Sequence, residues 1–139
     1  MILLIYTNVI LDLILQWDPY YENAAKINVL SEKECIRCYI SASAVTDIFY
    51  IAKKELKNKG KAIELLRSLL KTIRIASVTE GGIQEALDLA WDDFEDSVQY
   101  VAGKEISADY IVTRNSNDFA NSQIKVISPQ GFLDQITSQ

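Results

Sequence analysis

Residues 92–119 hold the densest set of side chains in the chain that could perform chemistry. Asp93 and Asp96 stand three residues apart at the predicted start of a helix, which places their carboxylates close enough to share one cation. A polar run over residues 113–118 follows the apolar strand predicted at Tyr110–Val112. Ligands collect at the carboxyl ends of strands in open α/β sheets, so this polar run marks a candidate site.

The same residues also have an ordinary structural interpretation. Asp92 or Asp93 is a common helix N-cap, and an acid in the first turn, such as Asp96, is favoured by the helix dipole without any ligand. The Asn-Ser-Asn-Asp sequence is a normal turn composition, because these side chains bond to their own backbone. The two interpretations are balanced on this stretch alone, and the other acids of the chain must decide between them.

Apolar runs and helical patterns alternate along the whole chain. Strands are predicted at residues 1–6, 37–40, 73–78, 110–112 and 125–127. Helices are predicted between them, opened by Thr7-Asn8, Asp18-Pro19, Ser41 or Ser43, Thr79-Glu80, Asp92 or Asp93, and Ser128-Pro129. The first two helices are expected over residues 9–16 and 19–30. The alternation predicts one domain over residues 1–139, a three-layer α/β/α sandwich with a central parallel sheet.

Four acids are predicted at one edge of this sheet. Asp47 follows the second strand, Asp93 and Asp96 precede the fourth, and Asp118 follows the fourth. The carboxyl ends of parallel strands open onto a common edge, so these carboxylates are expected to converge. Carboxylates without histidine or a usable thiolate suit Mg²⁺ or Mn²⁺ and do not suit zinc or copper. Such a metal site supports hydrolysis of a phosphodiester.

Composition excludes several other classes of protein. With 139 residues and 49% hydrophobic content, the chain can form a core without metal or disulfide staples. Cys35 and Cys38 form a C-x-x-C pair without a second pair, so neither a disulfide framework nor a zinc site is expected. The apolar residues 1–5 are too short to span a bilayer and lack a signal-peptide pattern. A cytoplasmic protein without a membrane association is therefore expected.

The net charge of −5 gives no overall argument for nucleic-acid binding, so any basic contact must be local. The concentrated basic run consists of Lys53, Lys54, Lys57, Lys59 and Lys61. It lies around the end of one predicted helix and the start of the next. We interpret it as a solvated face that complements a helix C-terminus.

Four segments together resemble the PIN domain, the fold of the ribonuclease toxins of VapC-type toxin–antitoxin pairs. They are LLIYTNVILDLIL, ISASAVTDIFYIAKKEL, DFEDSVQYVAGKEISADYIVTRNSNDF and VISPQGFLDQI, and the third is the most specific. The resemblance runs over nearly the whole chain. It implies a Mg²⁺- or Mn²⁺-dependent endoribonuclease that acts on RNA, forms a homodimer and pairs with an antitoxin protein.

The resemblance also assigns acidic site residues, and this chain departs from the pattern at the first of them. The family's first acid, immediately before Thr-Asn, falls on Tyr6. The second matches Asp47, in the helix after the second strand. The third matches Asp96, with Asp93 as a neighbour that could assist.

A further part of the assigned site lies beyond the fourth strand. Asn115 occupies the usual place of the fourth acid, and Asp118 is the carboxylate that remains in this loop. Thr113 and Asn8 match polar positions that shape the site. The implied metal ligands are therefore Asp47, Asp96 and Asp118.

Tyr6 changes what such a site can do. A tyrosine stays neutral until pH about 10, so the substitution removes a negative charge and a ligand. The larger phenol could also fill the volume of the cation itself. A hard cation is therefore expected to bind more weakly. Asp12, in the following helix, is interpreted as an exposed polar residue and not as a replacement ligand.

Three functions are compatible with this pattern. The first is a PIN-type ribonuclease toxin whose activity is weakened or lost through Tyr6. The second is a catalytically inactive PIN-like module that binds RNA or a protein partner, with Tyr6 stacking a base. The third, a phosphorylated receiver-like domain, requires an aspartate at a strand end, and Tyr6 does not supply it.

Overall fold

The computed structural model describes residues 1–138, except for the side chain of Asp118. Within these residues the strands form one parallel sheet in the order β3-β2-β1-β4-β5. The strands are β1 (Ile2–Ile5), β2 (Arg37–Ser41), β3 (Arg74–Ala76), β4 (Tyr110–Val112) and β5 (Lys125–Ile127). The predicted parallel sheet is confirmed, and β1 lies at its centre.

Helices connect the strands and cover both faces of the sheet. Over the described residues they are α1 (Thr7–Ile14), α2 (Tyr21–Glu32), α3 (Ala42–Leu56), α4 (Lys59–Leu69), α5 (Glu80–Leu89), α6 (Phe94–Glu105) and α7 (Pro129–Thr137). A short 3-10 turn, Ser116–Phe119, follows β4. Each parallel connection thus passes through helical structure or a turn, as parallel pairing requires.

The alternation of side chains along β1 divides the core in two. Leu3 and Ile5 point into a cluster with α1, α2, α3, α4 and α7 on one face. Leu4 points into a second cluster with α5 and α6 on the other face. All three side chains are buried, as expected for a central parallel strand covered on both sides. The predicted three-layer α/β/α architecture is confirmed.

The start of α1 differs from the prediction. The helix begins at Thr7, and its N-cap is Tyr6, which makes no side-chain cap hydrogen bond. Thr7 Oγ1 instead accepts a hydrogen bond from Gln99 Nε2 at 3.3 Å, and Asn8 Nδ2 donates to Thr113 Oγ1 at 3.2 Å. The two polar residues expected to cap α1 therefore link it to distant segments.

The start of α2 also differs from the prediction. Asp18-Pro19 was expected to open this helix, but the helix begins at Tyr21, with Tyr20 as its N-cap. The backbone N–H groups of Tyr20 and Tyr21 both donate to the carbonyl of Trp17. A turn around Asp18-Pro19 consequently precedes the helix, because these backbone bonds close back onto Trp17.

Four other helices have the N-caps that the sequence predicts, each a serine, threonine or aspartate. Side-chain oxygens accept a backbone N–H at the N-caps Ser41, Thr79, Asp93 and Ser128. The first of these places α3 directly after β2, and the third places α6 before β4. Both placements bring acids of the predicted site to the carboxyl edge of the sheet.

Cys35 and Cys38 are both free thiols, and they occupy different environments. Cys35 is exposed and Cys38 is buried. Burial raises the pKa of the Cys38 thiol to about 11, which keeps it protonated and unreactive near neutral pH. Among the described residues, none of the helices combines the length and apolar character needed to cross a membrane.

Candidate functional site

Tyr6 stands where β1 ends and α1 begins, at the centre of the carboxyl edge of the sheet. Its phenolic O–H donates to Asp96 Oδ1 at 2.7 Å. The rings of Tyr6 and Phe119 pack edge to face, with their centroids 5.2 Å apart. The side chain is half-buried. Tyr6 is thus held on one side by a carboxylate and on the other by an aromatic ring.

The first turn of α6 supplies Asp96 and its cap. Asp93 is the N-cap, and its Oδ1 accepts the backbone N–H of Asp96 at 3.0 Å. Asp96 is only 5% exposed, whereas Asp93 is exposed. Asp93 therefore has the ordinary capping role that its position allows. Asp96 turns towards Tyr6, at the rim of the sheet.

Glu95 is a site residue that the sequence analysis missed. A hydrogen bond with Asp47 raises the pKa of the Glu95 carboxyl to about 7, and burial and the negative charges of Asp47, Asp93 and Asp96 act in the same direction. The Glu95 carboxyl, beside Asp47 of α3, therefore holds its proton more readily than an ordinary glutamate. Three acids within four residues, Asp93 to Asp96, were the signal in the sequence.

A network of polar contacts connects the start of α1 to the loop after β4. Asn8 Nδ2 donates to Thr113 Oγ1, and the backbone N–H of Arg114 donates to Asn8 Oδ1 at 3.4 Å. The backbone N–H of Asn115 donates to Thr113 Oγ1 at 3.3 Å. Thr113 is fully buried. These contacts fix the two chain segments that flank Tyr6.

Asn115 uses its side chain within its own loop. Its Oδ1 accepts the backbone N–H of Asn117 at 3.1 Å, which makes Asn115 the N-cap of the 3-10 turn. This contact is the local turn chemistry expected of an asparagine. The side chain of Asp118, the remaining carboxylate predicted in this loop, lies outside the described residues.

Asp12 is buried, and the expectation that it would be exposed is wrong. Its side chain is 1% exposed and accepts a hydrogen bond from Arg114 Nε at 2.8 Å. Burial raises the pKa of Asp12, and the Arg114 guanidinium opposes that shift. The same guanidinium lies over the ring of Tyr20, 4.1 Å from its centroid. Asp12 therefore anchors the β4 loop to α1.

The described acids lie near one another but make different contacts. Asp47 forms a hydrogen bond with Glu95, Asp93 caps the backbone N–H of Asp96, and the negative charges of all three aspartates act on Glu95. Within the described side chains, no group of three or more histidine, cysteine, aspartate or glutamate residues is arranged to hold a metal ion. The donors present are nonetheless oxygen atoms, and their crowded negative charge is what a hard divalent cation would relieve. The donor chemistry therefore fits Mg²⁺ or Mn²⁺.

A family model described as the PIN domain matches residues 3–117. The match covers both the sheet edge and the acids just described. The chain belongs to the PIN domain family. Nucleases of this family are generally dependent on divalent metal ions. Comparison with curated proteins finds no match.

Several solved structures with the same fold are toxins or toxin–antitoxin complexes. VapBC2 from Rickettsia felis, bound to a DNA fragment from its promoter, is 19% identical with a TM-score of 0.66, covering 91% of this chain and 97% of that one. VapC20 from Mycobacterium tuberculosis, a Sarcin-Ricin loop cleaving toxin, is 13% identical with a TM-score of 0.68, covering 86% and 94%. A toxin–antitoxin complex from Klebsiella pneumoniae is 18% identical with a TM-score of 0.66, covering 91% and 96%. At these sequence identities, the structural similarity shows a common fold and nothing further about this chain.

Proposed function

We propose that this chain is a metal-dependent endoribonuclease of the PIN family and the toxin of a toxin–antitoxin pair, with activity weakened or lost through Tyr6. The observation that carries the proposal is the convergence of acids from α3 and α6 at the end of the central strand. Glu95 forms a hydrogen bond with Asp47, the charges of Asp93 and Asp96 act on it, and Asp96 Oδ1 lies 2.7 Å from the Tyr6 hydroxyl at the end of β1. Carboxylates crowded in this way, without histidine, suit hydrolysis of phosphodiesters.

In this proposal Asp47, Asp96 and Asp118 hold Mg²⁺ or Mn²⁺, and Glu95 and Asp93 add negative charge beside them. A bound ion supplies a polarised phosphoryl oxygen and a more acidic water. The residues of the chain then have positioning tasks. Asn8 and Thr113 support the loop after β4 through their hydrogen bond of 3.2 Å, and they keep the flank of the site rigid.

Tyr6 weakens this site in two physical ways. The phenol brings no negative charge at neutral pH, although its position is the family's first acid. Its O–H also donates to Asp96 Oδ1, so a metal ion would compete with that hydrogen bond for the same oxygen.

Restoring an acid at this position tests the proposal. The Tyr6→Asp variant is expected to bind Mn²⁺ at least tenfold more tightly than the wild type, because one more carboxylate joins the site. It is also expected to gain cleavage of single-stranded RNA. Isothermal titration with Mn²⁺ and a gel assay of labelled RNA measure the two effects.

Tyr6→Asn is the matched control, since it removes the ring without adding charge. It should gain neither affinity nor cleavage. The double variant Tyr6→Asp with Asp96→Asn should lose both gains. A Tyr6→Asp variant that is folded, yet binds Mn²⁺ no better than Tyr6→Asn and leaves RNA intact, would overturn the proposal.

A second function is an inactive PIN-like module that binds RNA or protein. It is favoured because the side chains at the two positions that lack the expected acid already form hydrogen bonds within the protein. Tyr6 donates to Asp96, and Asn115 caps its own turn. Titration of single-stranded RNA against Tyr6→Ala tests the stacking role in this alternative. If Tyr6→Ala loses affinity for RNA and Tyr6→Asp does not cleave it, the binding module is favoured over the enzyme.

The partners proposed are RNA, an antitoxin protein and a second copy of the chain, and the site of action is the cytoplasm. The fold shared with a toxin–antitoxin complex supports an antitoxin as partner.

A surface for the proposed homodimer is an apolar hollow between α2 and α7. Its lining includes Val29, Leu30, Leu133 and Ile136. Light scattering of wild type and Val29→Glu tests it, since a charge there should shift a dimer to monomer.

A further inference from the structure

The outer face of α3 carries aromatic and basic side chains in line with Asp47. Counting from Asp47, Tyr50, Lys54 and Lys57 follow after three, seven and ten residues. This spacing keeps Asp47, Tyr50 and Lys54 on one face of α3, and Lys57 is the C-cap residue that follows the last turn of the helix. We call Tyr50, Lys54 and Lys57 the α3 stripe. It extends about 15 Å from the candidate site at the helical rise per residue.

The members of the α3 stripe are open to solvent and to ligands. Tyr50 is 64% exposed, the most exposed of the large hydrophobic side chains in the described residues. Lys54 and Lys57 are exposed, and neither forms an ion pair within the described part of the chain, whereas Lys61 pairs with Glu64 at 3.7 Å. Their charges are therefore not neutralised by a neighbouring carboxylate.

The α3 stripe borders a shallow hollow where α3 meets α4. The hollow has a volume of about 460 Å³ and is lined by Tyr50, Lys53, Lys54, Lys57, Asn58 and Lys59. It contains no acidic side chain, although acids outnumber bases 19 to 14 in the whole chain. The hollow is thus a local basic region on an acidic protein.

The C-terminal dipole of α3 accounts for only part of this pattern. Lys53 and Lys54 lie in its last turn, where positive charge is favoured. The dipole gives no reason for an aromatic ring in the same stripe. The Tyr50 ring packs edge to face against Phe49, with centroids 5.5 Å apart, and most of the Tyr50 side chain still lies in solvent. Exposed rings alternating with basic side chains are how proteins bind single-stranded nucleic acid, through base stacking and phosphate neutralisation.

We propose that the α3 stripe binds single-stranded RNA and leads it towards the acids around Asp47. Tyr50 stacks a base, and Lys54 and Lys57 contact the phosphates that follow. The direction towards Asp47 rests on the proposed ribonuclease function, whereas the binding itself does not. An unpaired strand fits best, because stacking on Tyr50 requires a base that is free of its partner.

Binding is measured by fluorescence anisotropy with a labelled RNA of about 12 nucleotides, in a buffer with a chelator so that no cleavage occurs. Tyr50→Ala is expected to weaken binding about tenfold, and Tyr50→Phe to keep it, since a phenyl ring still stacks. The variant Lys54→Gln with Lys57→Asn should lower the slope of log K against log salt by about 1.4. Asparagine suits position 57 because the backbone φ there is 52°.

The matched control is Lys33→Gln with Lys71→Gln, which removes two exposed lysines from segments before β2 and β3, at the opposite edge of the sheet. It should leave affinity and salt slope close to those of the wild type. Equal losses in this control and the α3 stripe variant would overturn the proposal, as would unchanged RNA binding by Tyr50→Ala.

Two competitors separate RNA from other polyanions. An unlabelled single strand should displace the probe, and duplex DNA or poly-glutamate should do so at least tenfold less well, because neither offers an unpaired base. Equal displacement by poly-glutamate would overturn the proposal in favour of an acidic protein partner. Failure of Tyr6→Asp to cleave RNA would remove the ribonuclease proposal and leave this binding result standing.

Discussion

Tyr6 and Glu95 reduce the negative charge of the candidate site by different means. Tyr6 is a tyrosine at the position that the resemblance to the PIN domain assigns to an acid, and its phenolic O–H donates to Asp96. Glu95 is itself an acid, but its proton is retained up to a pH of about 7 through its hydrogen bond with Asp47. The site near neutral pH is therefore less negative than a count of its acids suggests.

Glu95 is expected to make the stability of the fold depend on pH. Its pKa is raised from 4.5 in the unfolded chain to about 7 in the folded protein. Its stabilising contribution is therefore complete below pH 4.5 and is lost as the pH rises through about 7. Relative to Glu95→Gln, which cannot ionise, the free energy of unfolding of the wild type should fall across this range. Urea denaturation at a series of pH values measures the difference.

The control for this experiment is Glu80→Gln, which removes an exposed first-turn acid from α5. This variant keeps Glu95, so its free energy of unfolding should still fall as the pH rises through about 7. Parallel stability curves for the wild type and Glu95→Gln would contradict the raised pKa of Glu95.

Asp12 and Arg114 give a second prediction for single residues. Arg114→Met should leave a buried carboxylate without its cation and lower the free energy of unfolding by about 2–3 kcal/mol, less than for a fully buried pair because Arg114 is 30% exposed. Asp12→Asn combined with Arg114→Met should cost less than Arg114→Met alone. A double variant whose loss equals the sum of the single losses would contradict the coupling.

The elements themselves were predicted well where local chemistry determines their limits. Ser41 and Ser128 cap helices as their sequence signals indicate. The start of α1 was not predictable in this way, because Thr7 and Asn8 bond to residues more than ninety positions away. Polar residues that serve tertiary contacts have the same sequence signal as caps.

For the candidate site, the order of the elements predicts where the acids lie, and their role as metal ligands stays a prediction. The edge of the sheet and the convergence of Asp47 with the acids of α6 follow from the order of the elements. Glu95 and the burial of Asp12 do not, since they depend on which side of a helix meets which neighbour. Periodicity places Asp12 on α1, but only the partner Arg114 explains how a carboxylate can be buried there.

Helix α6 supports a prediction that separates capping from charge. Asp93→Ala should lower the free energy of unfolding by about 1 kcal/mol, because the backbone N–H of Asp96 loses its cap. Asp93→Asn should keep that stability, since asparagine caps equally well, while it removes one charge that raises the pKa of Glu95. Thermal denaturation and the pH titration of Glu95 by NMR measure the two effects. Equal destabilisation by both substitutions would contradict the capping role.

The whole molecule is organised around a strand with neighbours on both sides. β1 pairs with β2 and β4, and its side chains enter both clusters of the core. A ligand that binds at the end of β1 should therefore stabilise the entire fold and not only one loop. Its effect on the melting temperature follows its affinity.

Metal binding can thus be measured through the stability of the folded chain. Mn²⁺ at a concentration 100 times its dissociation constant should add about 2.7 kcal/mol to the folded state of Tyr6→Asp. The wild type and Tyr6→Asn should gain far less at the same concentration. Melting curves recorded with Mn²⁺ and with a chelator compare them, and equal shifts for all three proteins would contradict a role for an acid at position 6.

The central place of β1 also matters while the protein is being made. Leu3 of β1 pairs with Tyr110 of β4, and the backbone N–H of Thr113 donates to the carbonyl of Ile127 near β5. The ribosome synthesises β4 and β5 last, so β1 cannot complete its pairing until the chain is nearly finished. The edge that would cut RNA cannot assemble on a half-finished chain. For the proposed ribonuclease, cleavage of RNA would therefore begin only after synthesis of the chain is nearly complete.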